Sequence, residues 1–208
     1  MAPQSLSQIV VRDIATQGFV FWKWVFIASG FQDRVIIDRQ YRKIVNLQQR
    51  IIGNNSPEQD TEENLELLAS YFQKLSVNQV EEYKPHKILQ QLLRSQKKVE
   101  ASTLSLTILF NMIGSSAGIS RLSAYNCDGY YFPVHTQQGC STGLSYEIRR
   151  LTPDQHRAHM QKKKHISNSD LVADIAHASS TEMRKLGKEY AAQRYATFEQ
   201  FCRTLNSD

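Results

Sequence analysis

The chain of 208 residues carries 25 Lys and Arg against 20 Asp and Glu, a formal net charge of +5, and 41% hydrophobic residues. That apolar content excludes wholesale disorder, and three cysteines exclude a disulfide-dense secreted scaffold. No collagen-like, repeat or low-complexity pattern is present, which leaves a mildly basic globular protein.

Met1–Ser7 lacks the basic and apolar regions of a secretory signal, and the cysteine usage points to a cytoplasmic or otherwise intracellular location. Helical periodicity dominates the first half. A helix capped by Ser5 or Ser7 is expected to open with Ile9, Val10 and Ile14 and to run toward Ile27. Its most apolar part, residues 19–31, holds Lys23 near the middle and is shorter than the ~20 residues of a membrane span. It reads as a buried helix, with an interfacial membrane helix around Trp22, Lys23 and Trp24 as the alternative.

Residues 33–52 give the clearest helix. Ile37, Tyr41, Ile44, Val45, Ile51 and Ile52 share one side, while Arg39, Arg42, Lys43 and Arg50 share the other, and Gly53 ends it. Ser56-Pro57-Glu58-Gln59 is a start signal for a third helix, with Leu65, Leu68, Ala69, Phe72 and Leu75 as its core face. Another amphipathic helical unit is expected from residue 78 to about 99, with Lys87, Arg94 and Lys98 on its basic side. Residues 103–113 are apolar and β-branched. They fit a buried helix capped by Ser102 or a buried strand, and the helical surroundings favour the helix.

The character changes at Gly114. Five glycines and the aromatics Tyr125, Tyr130, Tyr131 and Phe132 fall between residues 114 and 143. Residues 130–135 and 144–150 look strand-like, with a turn at 137–139. Thr152-Pro153-Asp154-Gln155 then signals a short basic helix to about His165, and a helical region with a stripe of Met183, Leu186, Tyr190, Phe198, Phe201 and Leu205 follows. The expected fold is mainly α: a multi-helix single domain with a helical core region at 1–113, a Gly- and aromatic-rich loop or hairpin segment at 114–150, and a basic helix and C-terminal helical region at 151–208.

Few motifs carry chemistry. Gly114-Ser115-Ser116-Ala117-Gly118 matches the G-x-S-x-G elbow of serine hydrolases, but the elbow needs a strand before it and a helix after it. The helical reading of the first 113 residues favours a helix end and turn instead. Cys127, His135 and Cys140 lack the close cysteine pair of a zinc knuckle, and a fourth ligand would have to come from His156, His159 or Cys202. No Walker loop, dinucleotide fingerprint or paired-carboxylate pattern occurs. No cofactor or metal is expected, and a non-enzymatic role is favoured.

Charge segregation is the most informative feature. Residues 34–50 carry a net +4, residues 84–98 a net +5 and residues 149–165 a net +5, whereas residues 57–82 carry a net −6. Basic blocks on outer helix faces suit a polyanion. The expected function is therefore nucleic-acid binding in a regulatory, packaging or coat role. Phosphate contacts would come from Arg39, Arg42, Lys43, Arg50, Lys87, Arg94, Lys98, Arg149, Arg150, Arg157, Lys162, Lys163 and Lys164. The alternative is a scaffold subunit of a larger assembly whose basic blocks meet acidic protein partners, and a third reading is a homo-oligomer in which the acidic helix at 57–75 meets a basic surface on a neighbouring subunit.

Overall fold

The computed structural model describes residues 21–29, 34–53, 61–79, 98–136, 143–148, 151–168, 170–172 and 174–175. Of these, 58% are helical and 22% lie in strands, so the expected mainly α class is corrected to a mixed α/β fold. The chain divides into two compact units, residues 1–41 with 168–208 and residues 42–167.

In the first unit, α1 (Phe21–Ala28) buries Phe21, Trp24, Val25, Phe26 and Ile27. Trp22 stacks on Tyr41 with ring centroids 4.2 Å apart. Leu171, Val172 and Ile175 are fully buried as well. The apolar run 19–31 is thus core helix over its described part, and no helix among the described residues is long and apolar enough to cross a membrane. The stripe at 183–205 lies outside the described residues.

Helix α2 (Arg34–Ile52) runs from the first unit into the second. Ile37, Gln40, Ile44, Leu47, Gln48 and Ile52 are buried along it, the three-and-four spacing of one helix face. Tyr41, Val45 and Ile51 flank that face half-buried. Gly53 ends the helix at φ +80° and donates its N–H to the Gln49 carbonyl at 2.9 Å.

The second unit is built around a sheet. Strands β3 (Leu122–Cys127), β4 (Tyr130–His135), β5 (Leu144–Ser145) and β6 (Lys164–Ile166) form one antiparallel sheet in the order β5-β4-β3-β6. A separate parallel pair joins β1 (Ser76–Gln79) to β2 (Lys98–Ala101). Both ends of the amphipathic helix expected over 78–99 are therefore strand, and residues 80–97 between them lie outside the described residues.

The β3–β4 hairpin closes on Asp128 and Gly129 at φ +59° and +85°, two successive left-handed residues, as a type I′ turn requires. Asn126 Oδ1 accepts the Gly129 N–H at 2.8 Å across this turn. The expected pairing of 130–135 with the 144 region survives only as Val134↔Ser145 and His135↔Leu144. The hairpin that organises the sheet is the one before it.

Helix α4 (Thr103–Ser116) is the helix favoured for this apolar stretch. Ser102 caps it, accepting the Ser105 N–H at 3.2 Å. Every residue from Ser105 to Gly114 is buried, because α4 packs against both the sheet and α3 (Thr61–Gln73). Phe110 links the layers, 5.8 Å from the Phe72 ring of α3 and 5.7 Å from Tyr146.

Two polar contacts tie α4 to the hairpin. Thr103 Oγ1 accepts the Tyr131 N–H at 3.2 Å, and Asn111 Nδ2 donates to the Ser123 carbonyl at 3.0 Å. They run the helix from the turn end of the hairpin toward its open end, where Leu122 packs under Gly114. The opposite sheet face carries Tyr125, Cys127, Phe132 and Val134, with Tyr130, Leu151 and Met160 packed against them. Helix α5 (Pro153–Met160) covers that face. The unit therefore has helices on both faces of its sheet.

Helix α5 begins as the sequence signals. Thr152 Oγ1 accepts the Gln155 N–H at 3.2 Å, and the Gln155 side chain accepts the Thr152 N–H at 3.0 Å. It ends earlier than the expected His165. Residues 164–166 are instead the edge strand β6, paired with β3 through Ala124↔Ile166, Tyr125↔His165 and Asn126↔Lys164.

Candidate nucleic-acid interface

Helix α5 divides its residues between the sheet and solvent at helical spacing. His156, His159 and Met160 turn inward. His159 stacks on Tyr130 at 4.5 Å, and both imidazoles meet Phe132 edge-on, at 5.8 Å for His156 and 6.1 Å for His159. Glu147 lies 3.7 Å from His156. Asp154, Gln155, Arg157 and Ala158 face outward. The histidines of this segment thus act as aromatic packing groups against the sheet, beside their membership of a cationic run.

The chain then turns at Gln161–Lys162 and enters β6, so the three consecutive lysines fall on a corner of the sheet. All three are exposed. Lys162 reaches Asp128 in the hairpin turn at 3.1 Å. Lys163 Nζ lies over the Tyr125 ring, 5.0 Å from its centre. Lys164 sits opposite Asn126 on the strand. Arg157 pairs with Asp154 at 2.7 Å one turn before. These pairs are exposed, so each contributes at most about 1 kcal/mol to stability. They set where the cations stand at the sheet edge. Among the described residues the corner has four cations, Arg157 and Lys162 to Lys164, against the two carboxylates Asp128 and Asp154.

Tyr125 organises the neighbourhood. It is buried, its hydroxyl accepts the Gly143 N–H at 3.2 Å, and its ring meets His165 edge-on at 6.0 Å. His165 Nε2 and Ser123 Oγ are 2.9 Å apart. Burial pushes the neighbouring Cys127 thiol up from its ordinary pKa, with Lys163 pulling weakly the other way.

The other predicted basic residues are dispersed. Arg39 is exposed on α2 in the first unit. Arg42 and Arg50 are exposed and Lys43 half-buried on the α2 stretch of the second unit, where Arg50 acts on Tyr71 of α3. Lys98 is exposed on β2, in the other sheet. Lys87, Arg94, Arg149 and Arg150 lie outside the described residues. The structure thus brings together Arg157, Lys162, Lys163 and Lys164. Asp128 and Tyr125, which the list of basic residues omits, fix two of them. The Asp-Gly dipeptide was the signal that could have found the first of these.

The two other candidate chemistries are separated by geometry. Cys127 closes the turn end of the hairpin and His135 stands at its open end. Five residue steps along the strand part them, about 17 Å. Cys140 lies outside the described residues. Ser116 is the last residue of a helix, and its hydroxyl donates back to the Ile113 carbonyl at 2.7 Å. Gly118 follows at φ +80°, with Ile119 N–H bonded to the Gly114 carbonyl at 3.0 Å. A helix therefore precedes this serine and a strand follows it, the reverse of a nucleophile elbow.

At the open end of the hairpin, burial and the nearby Arg121 hold the His135 imidazole below its ordinary pKa, against the pull of Glu62. A depressed histidine favours the unprotonated folded state. The unfolded chain therefore takes up the proton first, and stability should fall as pH drops below about 6.5. Denaturant titrations at pH 7.5 and 5.5 should show a smaller acid loss in His135→Gln than in the parent, and an equal loss would remove His135 as a cause. Compared with family models, with curated proteins and with solved structures, the chain matches none.

Proposed function

We propose that the second unit binds the phosphate backbone of a nucleic acid at the α5–β6 corner of its sheet. The observation that carries this reading is the run of exposed lysines 162–164, anchored on Asp128 and Tyr125 and continued by Arg157. A cation held on a strand edge loses less conformational freedom on meeting a phosphate than one on a mobile tail. An intracellular location goes with this reading, and the free buried thiol of Cys127 is compatible with it.

Fluorescence anisotropy with labelled oligonucleotides tests it. Four cations releasing counterions give a slope of about −3 to −4 in log K against log salt, so affinity for a duplex should fall about 10²-fold between about 50 and 200 mM salt. Replacing Lys162 and Lys164 with Ala should flatten the slope by nearly two. Absence of binding at the lower salt, or a slope untouched by the double substitution, would refute the reading.

A further inference from the structure

The charge of the second unit is divided between two corners of its sheet. Helix α3 lies beside the β5 edge: Gln73 Nε2 donates to the Glu147 carbonyl at 2.9 Å, and Phe72 reaches Tyr146 through Phe110. Its first turns carry exposed Glu62, Glu63 and Glu66. Glu62 acts on His135, at the open end of the hairpin. The lysine corner is at the β6 edge and, through Lys162 and Asp128, at the turn end. Acidic and basic groups therefore stand diagonally opposite, about 17 Å apart along the strands and three strand spacings across the sheet.

We infer that copies of this chain associate head to tail, with the acidic outer face of α3 in one copy docking on the α5–β6 corner of the next. Two observations beyond the charges favour a second copy as the occupant. Leu67 is 39% exposed on α3 and stands among Glu63 and Glu66, an apolar centre with a charged rim. The long lysine stems of the opposite corner offer apolar surface to cover it. Strand β6 has only three residues and carries Lys164 and His165, which disfavours pairing with a further strand and leaves side-chain docking as the way to use this edge. Among the described residues, Arg121 and the exposed Lys74 after α3 on the acidic side, and Asp128 and Asp154 on the basic one, oppose the attraction. Because the two docking faces differ, the contact is heterologous and repeats from copy to copy.

The test is sedimentation velocity on nuclease-treated protein. At about 50 mM salt the mass should grow with protein concentration, and at about 500 mM it should return to that of a monomer. Glu62→Gln with Glu66→Gln should abolish growth, as should Lys162→Gln with Lys164→Gln. Each of these variants keeps one intact face, so an equimolar mixture should form a dimer and nothing larger. A parent that stays monomeric at low salt, variants that grow like the parent, or a mixture without dimer would overturn the proposal. The glutamine variant of α3 should still bind oligonucleotide. Loss of self-association with that binding intact separates this proposal from the nucleic-acid reading.

Discussion

Phe110→Ala should destabilise the second unit by about 3–5 kcal/mol, the usual cost of deleting a buried phenyl ring. Phe110 is fully buried at the centre of α4 and touches aromatic rings in the layers around it. The neighbours cannot all close on the vacated space, since Phe72 is fixed on α3 and Tyr146 on the segment leaving β5. A domain of this size has roughly 5–15 kcal/mol in total, so the loss is a large share of it. Urea unfolding followed by far-UV circular dichroism should show the midpoint falling by about 2 M with the slope unchanged. A midpoint within about 0.5 M of the parent would contradict the layered core.

Phe132→Ala acts on the opposite face of the sheet and should show a different signature. Phe132 is buried, and it is the ring that both His156 and His159 meet. Removing it should cost about 3 kcal/mol or more and withdraw the platform on which α5 rests. Amide exchange in residues 156–160 should accelerate more than exchange in α4, because α5 is short and has no buried residue of its own. Oligonucleotide affinity should fall too, although no cation has been removed, since Arg157 and the lysines lose their fixed placement. Unchanged exchange in α5 would show that Phe132 does not hold it.

Much of the helical framework is legible in the sequence. The Gly53 end of α2, the Ser102 cap of α4 and the Thr152 capping box each depend on local residue types, and each stands where those residues put it. The sheet is less legible because its strands are short and polar in places. Ser76–Gln79 contains one apolar residue, Val77, too few to show an alternation, and Lys98–Ala101 can equally end a basic helix. Lys164–Ile166 is hidden by the lysine run before it, since three residues cannot display a period. The Asp128-Gly129 dipeptide carries the signal of a two-residue hairpin, but the sequence reading sets the turn at 137–139 and so misses β3. The site was legible in part. The lysine run was visible as charge, but its place on a sheet corner depends on pairing with β3, a contact about forty residues distant in sequence.

Helix α4 is enclosed on all sides, and this has a consequence for how one arrangement is selected. A helix that is buried around its whole circumference gains little from area alone by presenting one face to the sheet over another. The Thr103–Tyr131 and Asn111–Ser123 hydrogen bonds remove that degeneracy. They lie eight residues apart on one side of the helix, so a rotation or slide that breaks one strains the other. A misrotated helix would lose both hydrogen bonds, each worth about 0.5–1.5 kcal/mol. Their contribution is then less to the depth of the native minimum than to its separation from the alternatives.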